Sequence, residues 1–309
     1  MKEIKTVGVI GLGALGTMYA DVFTKALGRE HVLILADAAR IERLKRDGIF
    51  CNGKLCDFNY VDAATVTEPV DLLLFAVKFT GLSAAMETCR HLVGPETTLM
   101  SILNGVSSEE ILGETFGREK VVWSVCSRAS VVKEGNRVTV FTALPPSGRT
   151  DLGIPAGHPD AHYRRLTAFF DAIDFHYWPS DDILSAMWGK MMCNTGCNQA
   201  TMVYECTYAE LQQPGEIRDT MIGAMREVVP VANAEGVPLS EADVQAWVRV
   251  IDSLDPEAEP SMRQDGKAHR KSEVELFSGT VCRLGRKHGI AVPVNERLYA
   301  RIMEMESHY

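Results

Sequence analysis

In the stretch Trp188-Gly189-Lys190-Met191-Met192-Cys193-Asn194-Thr195-Gly196-Cys197-Asn198, three polar residues, Lys190, Asn194 and Asn198, recur at every fourth position. On an α-helix they form one stripe that drifts by about 40° per step. Met191, Met192, Cys193 and Cys197 between them suit burial, so the stripe sits on a helix that otherwise reads as internal. A lysine there needs a partner or a cleft. Desolvation would lower its pKa towards the range useful for donating a proton near neutral pH, and the asparagines could hydrogen-bond hydroxyl or carboxyl groups from the same face. The plainer alternative is that the asparagines join helices while the lysine snorkels to solvent. Later in the chain, Ser261-Met262-Arg263-Gln264-Asp265 precedes Glu273, which in isolation belongs to a charged helix.

Near the N-terminus, Gly11-Leu12-Gly13-Ala14-Leu15-Gly16 is a G-x-G-x-x-G sequence. Such a pattern arises by chance about one time in six in a chain with this glycine content, so alone it says little. Here it follows the apolar run Val7 to Ile10 and opens a helical pattern reaching about Leu27, and the next strand ends at Asp37, about 20 residues beyond the turn. Together these features predict a dinucleotide site. Gly11 permits the tight turn, Gly13 lets the backbone approach a pyrophosphate, Gly16 allows close helix-to-strand packing, and the helix N-terminus supplies N–H donors. Asp37 can accept hydrogen bonds from an adenosine 2′-hydroxyl and repels a 2′-phosphate, which favours NAD; Arg40, one helical turn on, could offset this by moving against a phosphate. Lys78 and Asn104 follow the third and fourth strands, Leu72 to Val77 and Leu99 to Leu103. They stand at the carboxyl edge, where open α/β sheets bind ligands. A solvated loop cation and a generic Asn-Gly turn are the plain alternatives.

The elements that must position these residues fall into two parts. Over the first 125 or so residues short apolar runs (Val7 to Ile10, Val32 to Ala36, Leu72 to Val77, Leu99 to Leu103, Val121 to Val125) alternate with helical patterns, the rhythm of a parallel sheet covered on both faces. Asn52-Gly53 predicts a hairpin turn between Ile49 to Cys51 and Lys54 to Phe58. Leu144 to Pro159 reads as an exposed Pro/Gly-rich excursion, before a helix from about Ala161 to Ala172 and a last strand, Phe175 to Trp178. Beyond Asp181, which with Asp182 can cap a helix, the patterns are helical: Ile217 to Glu235, Glu241 to Ile251, Ala268 to His288 and Asn295 to Glu306. The expected fold class is α/β, with an N-terminal Rossmann-type doubly wound parallel sheet over residues 1–180 followed by an all-α domain over residues 181–309.

Composition narrows the function. The 309 residues are 46% hydrophobic and 24% charged, as in soluble globular proteins, with 32 Lys and Arg against 41 Asp and Glu for a net charge of -9. That balance disfavours nucleic acid and anionic membranes as partners. The eight cysteines form no CxxC pair, and no metal site is expected. Met1 to Thr6 runs into the first strand without the apolar region of an export signal, and no stretch approaches the roughly 20 apolar residues of a membrane span, so a cytoplasmic location is the default.

Taken in order, the glycine turn at Gly11 to Gly16, Ala-Val-Lys78, Leu-Asn104-Gly105, Trp188-x-Lys190-x-x-x-Asn194-x-x-x-Asn198, Ser261-Met262-x-x-Asp265, Glu273 and Gly289-Ile290-x-Val292-Pro293 resemble the ketopantoate reductase (2-dehydropantoate 2-reductase) family over nearly the whole chain. The resemblance implies a Rossmann domain plus a helical domain of the 6-phosphogluconate dehydrogenase C-terminal-like kind. It also implies reduction of ketopantoate to pantoate by NADPH on the route to pantothenate and coenzyme A. Lys190 would be the proton donor; Asn194, Asn198 and Ser261 would touch substrate; Asn104 would stand where nicotinamide and substrate meet, and Glu273 near the cofactor ribose and substrate. Gly11 to Gly16, Asp37, Arg40, Lys78, Asn104, Ala129 and Glu273 would line the cofactor. Three departures qualify this: Asp37 replaces an Arg that usually meets the NADP phosphate, Tyr208 replaces a substrate-binding Asn, and Phe141 to Pro146 replaces a glycine-bearing stretch. The alternatives are a related NAD(P)-dependent enzyme for another small 2-oxo or hydroxy acid, and a non-catalytic dinucleotide sensor. Amphipathic helices in the second half leave room for a homodimer contact.

Overall fold

The computed structural model describes residues 2–127, 131–141 and 149–309, and its contacts divide the chain into two compact units, Met1–Ile183 and Leu184–Tyr309. In the first unit β1 (Val7–Ile10) leads through the glycine turn into α1 (Ala14–Leu27), followed by β2 (Val32–Ala36) and α2 (Ala38–Asp47). The short strands β3 (Phe50–Cys51) and β4 (Lys54–Leu55) close on Asn52 and Gly53, both in the left-handed region at φ 48° and 77°, as an Asn-Gly hairpin requires. Then come β5 (Asn59–Asp62), β6 (Leu72–Phe75), α3 (Leu82–Cys89), β7 (Thr98–Ser101), α4 (Ser108–Phe116) and β8 (Val121–Ser127). The unit ends with β9 (Val131–Glu134), β10 (Arg137–Val140), β11 (Arg149–Gly153), α5 (Ala161–Ala172) and β12 (Trp178–Pro179).

Among the described residues the main sheet runs β12-β11-β8-β7-β6-β1-β2-β5. Its six parallel strands, β5-β2-β1-β6-β7-β8, have the Rossmann order, with the chain reversing its direction of progress between β1 and β6. The central strands are buried on both faces, hence the apolar runs Leu72–Phe75 and Val7–Ile10, whereas the edge strand β5 is half-buried along its length. Tyr19 and Phe23 of α1 pack into an aromatic cluster with Phe169, Phe170 and Phe175, the closest rings being Phe170 and Phe175 with centroids 4.4 Å apart. The Tyr19 hydroxyl finds Thr150 Oγ1 at 2.6 Å, so its burial leaves no orphaned polar group.

Three expectations need correction. The Pro/Gly-rich region is not all an exposed excursion: Arg149–Gly153 is a strand, β11, paired antiparallel to β8, with Thr150 to Gly153 buried. Its few residues between turn formers carry no periodicity, and only the partner strand makes them a strand. The part of the region over residues 142–148, together with most of the expected Phe141 to Pro146 remodelling, lies outside the described residues. The last strand is only Trp178–Pro179, against β11. Nor was a second small sheet foreseen. It has the order β4-β3-β10-β9, with β3 joined in parallel to β10 across a long stretch of sequence.

In the second unit α6 (Ile183–Tyr204), which starts at the unit boundary, is followed by α7 (Tyr208–Gln212), α8 (Glu216–Ala234), α9 (Glu241–Asp252) and α10 (Ser261–Lys267). The helix expected over Ala268 to His288 is shorter: His269 has left-handed φ, residues 270–274 are irregular, and a π-helical turn at Glu275–Gly279 precedes α11 (Thr280–His288). Glu306 of α12 (Pro293–Glu306) accepts from the Ser272 N–H at 2.8 Å and from its hydroxyl at 2.5 Å, a local alternative to helical bonding. Buried Asn295 ties three segments together: its amide donates to the Ala224 carbonyl and to Glu227, and its oxygen accepts from Ser278.

Two glycines set how deeply α6 is packed. A Cβ on Gly189 would lie 2.9 Å from Trp247 Nε1 of α9, and one on Gly196 would lie 2.5 Å from Met225 Cγ and 2.8 Å from the Met221 carbonyl oxygen of α8. Because the Met221 contact is backbone, Gly196→Ala should destabilise the protein by about 1–3 kcal/mol through overpacking. The check is a lower urea midpoint with unchanged denaturant slope; an unchanged midpoint would show that the two helices can separate freely.

Candidate functional site

In the first unit the glycine turn is shaped by steric exclusion. Gly11 has φ +103°, and a Cβ on it would stand 2.5 Å from the carbonyl oxygen of Ala76, just beyond β6. A Cβ on Gly16 would overlap the Gly11 carbonyl oxygen and approach Ala76 Cβ to 2.8 Å. Gly13, by contrast, faces open space, the Ala76 oxygen being 3.8 Å from its Cβ position, and as N-cap of α1 it brings no side-chain acceptor to the first-turn N–H groups. Ala14 and Leu15 form that first turn and are half-buried, while Leu12 is buried. An uncapped helix N-terminus beneath a bare backbone fits the pyrophosphate of a dinucleotide.

Asp37 follows β2 and caps α2, its Oδ1 accepting the Arg40 N–H at 2.8 Å. Its carboxylate also lines a cavity of about 520 Å³ with Ala36, Asp62, Ala64, Thr88 and His91, at the carboxyl ends of β2 and β5. Sequence reasoning singled out only Asp37 from this set. Asp62, at the end of β5, was readable in principle, as it occupies the corresponding strand-end position and caps a short turn through Ala64 N–H at 3.0 Å. His91, whose Nε2 contacts the Ala63 carbonyl at 2.9 Å, comes from a different element with no such signal.

Further along the same edge, exposed Lys78 caps the turn after β6, its carbonyl accepting from Gly81 N–H at 2.8 Å. Asn104, which is half-buried, precedes Gly105 at φ +86° after β7. That segment is tied down by the Ser101 hydroxyl, 2.9 Å from the Ser108 hydroxyl, which donates to buried Glu109 at 2.8 Å. Ala129 lies outside the described residues.

In the second unit the predicted stripe is real. Between Met187 and Met202 of α6 every residue is buried except Lys190 and Asn194, which are half-exposed. Asn198, one turn on, is buried; its Nδ2 donates to Asn194 Oδ1 at 3.2 Å, and its Oδ1 accepts the Ser261 hydroxyl and the Met262 N–H, each at 3.1 Å. Asn198 thus serves as a cap for the first turn of α10, a role the sequence could not reveal, since Pro260 occupies the N-cap position and offers no side-chain acceptor. Asp265, also on α10, pairs with Arg270 at 2.9 Å.

Beneath the stripe the free thiols of Cys193 and Cys197 share a hydrogen bond. This hydrogen bond and then burial push the Cys193 thiol well above its ordinary pKa, against the pull of the Lys190 charge. Tyr208, at the start of α7, lies close enough to both thiols to be affected by them, and burial, ahead of those charges, pushes its hydroxyl pKa up. Half-buried Glu273 opens the π-helical turn, its carbonyl accepting from Leu276 N–H at 2.9 Å. Hydrogen bonds therefore join Asn194, Asn198 and Ser261; Glu273 enters through a different segment. Among the described residues no cluster of His, Cys, Asp and Glu could hold a metal ion, and no helix is long and apolar enough to cross a membrane.

Comparison with known proteins gives a consistent picture. Residues 7–157 match the family model for Ketopantoate reductase PanE/ApbA, and residues 182–306 match the one for Ketopantoate reductase PanE/ApbA C terminal. The 2-dehydropantoate 2-reductase of Shigella flexneri is 28% identical over 305 residues, 97% of this chain and 95% of the relative. A D-mandelate dehydrogenase solved with NADH and anilino(oxo)acetate superposes with a TM-score of 0.85 at 23% identity, covering 98% of this chain and 99% of that one. A dimeric ketopantoate reductase from Staphylococcus aureus superposes with a TM-score of 0.79 at 23% identity, covering 98% and 99%.

The Asn198 geometry separates its two neighbours in the stripe. Asn198→Ala strands the Ser261 and Met262 donors and should cost about 1–3 kcal/mol, whereas Asn194→Ala, which removes one exposed partner, should cost less than about 1 kcal/mol. Chemical denaturation of both variants checks this, and equal losses would deny Asn198 its capping role.

Proposed function

The chain belongs to the ketopantoate reductase family of NAD(P)-dependent oxidoreductases, and from that premise we propose that it reduces the keto group of a small 2-oxo acid, ketopantoate first among them, to the 2-hydroxy acid. The polar edge of α6 carries this reading: between Met187 and Met202 the buried helix opens only at Lys190 and Asn194, beside Asn198 and Ser261. When bound, the nicotinamide supplies the hydride taken up by the keto carbon. Lys190 offers positive charge to the developing alkoxide and gives it the proton that completes the alcohol. Asn194 and the Ser261 hydroxyl hydrogen-bond the substrate's oxygens, with Asn198 holding both in place. Asn104 orients the reacting groups, Lys78 contributes to the dinucleotide site, and Glu273 binds cofactor ribose and substrate. Asp37 keeps Oδ2 available for the adenosine ribose hydroxyls, which supports use of NADH. Carried further, the reading makes this a cytoplasmic, homodimeric enzyme of pantothenate biosynthesis.

Tyr208 favours a second reading, in which the substrate is another small 2-oxo acid. A half-buried aromatic ring near Cys193 and Cys197 takes volume next to the stripe where the family resemblance expects an Asn. A panel of 2-oxo acids assayed with NADH and with NADPH separates the readings, and Tyr208→Asn should raise kcat/KM for ketopantoate relative to less hydroxylated 2-oxo acids if this ring sets the choice.

Lys190→Ala should lower kcat by at least about 100-fold, the scale of lost general acid catalysis, while the NADH dissociation constant stays within about threefold. Turnover that survives the substitution would remove Lys190 from the chemistry. Cofactor binding with no turnover of any 2-oxo acid by the unaltered protein would instead point to a dinucleotide sensor.

A further inference from the structure

Lys133 stands on β9, in the small second sheet, yet its ammonium group donates a hydrogen bond to the carbonyl of Leu12 inside the glycine turn. The side chain is half-buried, and desolvation lowers its pKa, with the positive charges of Arg40 and Arg43 on α2 adding to the effect. Three cations therefore gather beside the turn. The ion pairs within α2 go to other residues, Lys45 with Glu42 and Arg46 with Asp47. Among the described residues no carboxylate comes within ion-pair distance of Lys133, Arg40 or Arg43, and the adjacent Asp37 uses Oδ1 on the Arg40 backbone N–H. Asp47 feels the Arg43 charge without pairing with it, so the three like charges are only partly offset, and an anion would relieve the rest. An ammonium group with one hydrogen on Leu12 keeps two to donate, and a guanidinium offers a planar fork suited to phosphate oxygens.

We propose that Lys133, together with Arg40 and Arg43, binds a phosphate oxygen of the dinucleotide, and that Lys133 also braces the glycine turn through the Leu12 carbonyl. The inference rests on the dinucleotide reading of that turn and adds a residue from outside the main sheet to it. Two phosphate groups share the chemistry: the pyrophosphate, present in NADH and NADPH alike, and the 2′-phosphate, present in NADPH alone.

Dissociation constants for NADH and NADPH, measured by cofactor fluorescence at fixed ionic strength, test it on the full-length protein and on Lys133→Met, Lys133→Arg and Arg43→Met. Loss of one charge-assisted bond should weaken binding about tenfold or more in Lys133→Met, with Arg43→Met changing in the same direction and Lys133→Arg keeping most of the affinity. Equal weakening for both cofactors identifies the pyrophosphate as the anion, weakening confined to NADPH identifies the 2′-phosphate, and either supports the cluster. Arg43 is exposed on α2, so its variant carries the test if Lys133→Met does not fold, as read by circular dichroism. Unaltered affinities for both cofactors in folded Lys133→Met and Arg43→Met, or in Arg43→Met alone where the other fails to fold, overturn the inference. Failure of the unaltered protein to bind either cofactor would overturn the dinucleotide reading itself.

Discussion

The Ala76 carbonyl, just beyond β6, occupies the space a side chain on Gly11 would need, and the first unit's site is arranged around that exclusion. It obliges the turn after β1 to be glycine with positive φ, brings α1 close to the strands, and leaves the helix N-terminus with no side chain across it. The strand order reverses between β1 and β6, so this bare backbone lies at the switch point where the connections on either side lead away to opposite halves of the sheet. Gly16 extends the same constraint one turn further, since any larger residue would push α1 off Ala76. Lys133 then holds the turn through the Leu12 carbonyl.

A second constraint governs the helical unit. α6 is packed so closely that Gly189 and Gly196 admit Trp247 and the Met221 backbone, yet it carries polar side chains. The conflict is resolved locally. Asn198 goes fully inside because every polar atom of its amide has a use, one end towards Asn194 and the other on Ser261 and Met262. Lys190 and Asn194 keep partial exposure, so their polar heads avoid the full cost of desolvation. Packing that would merely bury a helix thereby leaves a cation and an amide presented on one edge.

Much of this was legible in the chain because it depends on local periodicity. Five of the six parallel Rossmann strands announce themselves as apolar runs, while the half-buried edge strand β5 does not; the Asn52-Gly53 turn shows in residues that tolerate left-handed φ, and the α6 stripe in its four-residue spacing. The same logic explains the failures. β11 is too short and too close to turn formers to show alternation, and only pairing with β8 defines it. The apparent helix over Ala268 to Ser272 has helical composition, but Asp265 and Glu306 bond its polar groups in other ways. Tyr208 was marked as unusual from the sequence alone, while its burial beside two thiols was not.

What the sequence determined by itself was the type of each long element, the glycine turn with the acid that follows the second strand, and the face on which Lys190, Asn194 and Asn198 stand, since each follows from spacing along a few turns of chain. The tertiary structure decided which polar atoms meet. Asn198 caps a helix 63 residues away, and Lys133 reaches a carbonyl 121 residues away. Such partnerships depend on where the backbone places a donor in space, and no periodicity records them, because the separation between partners is set by the folding of everything in between.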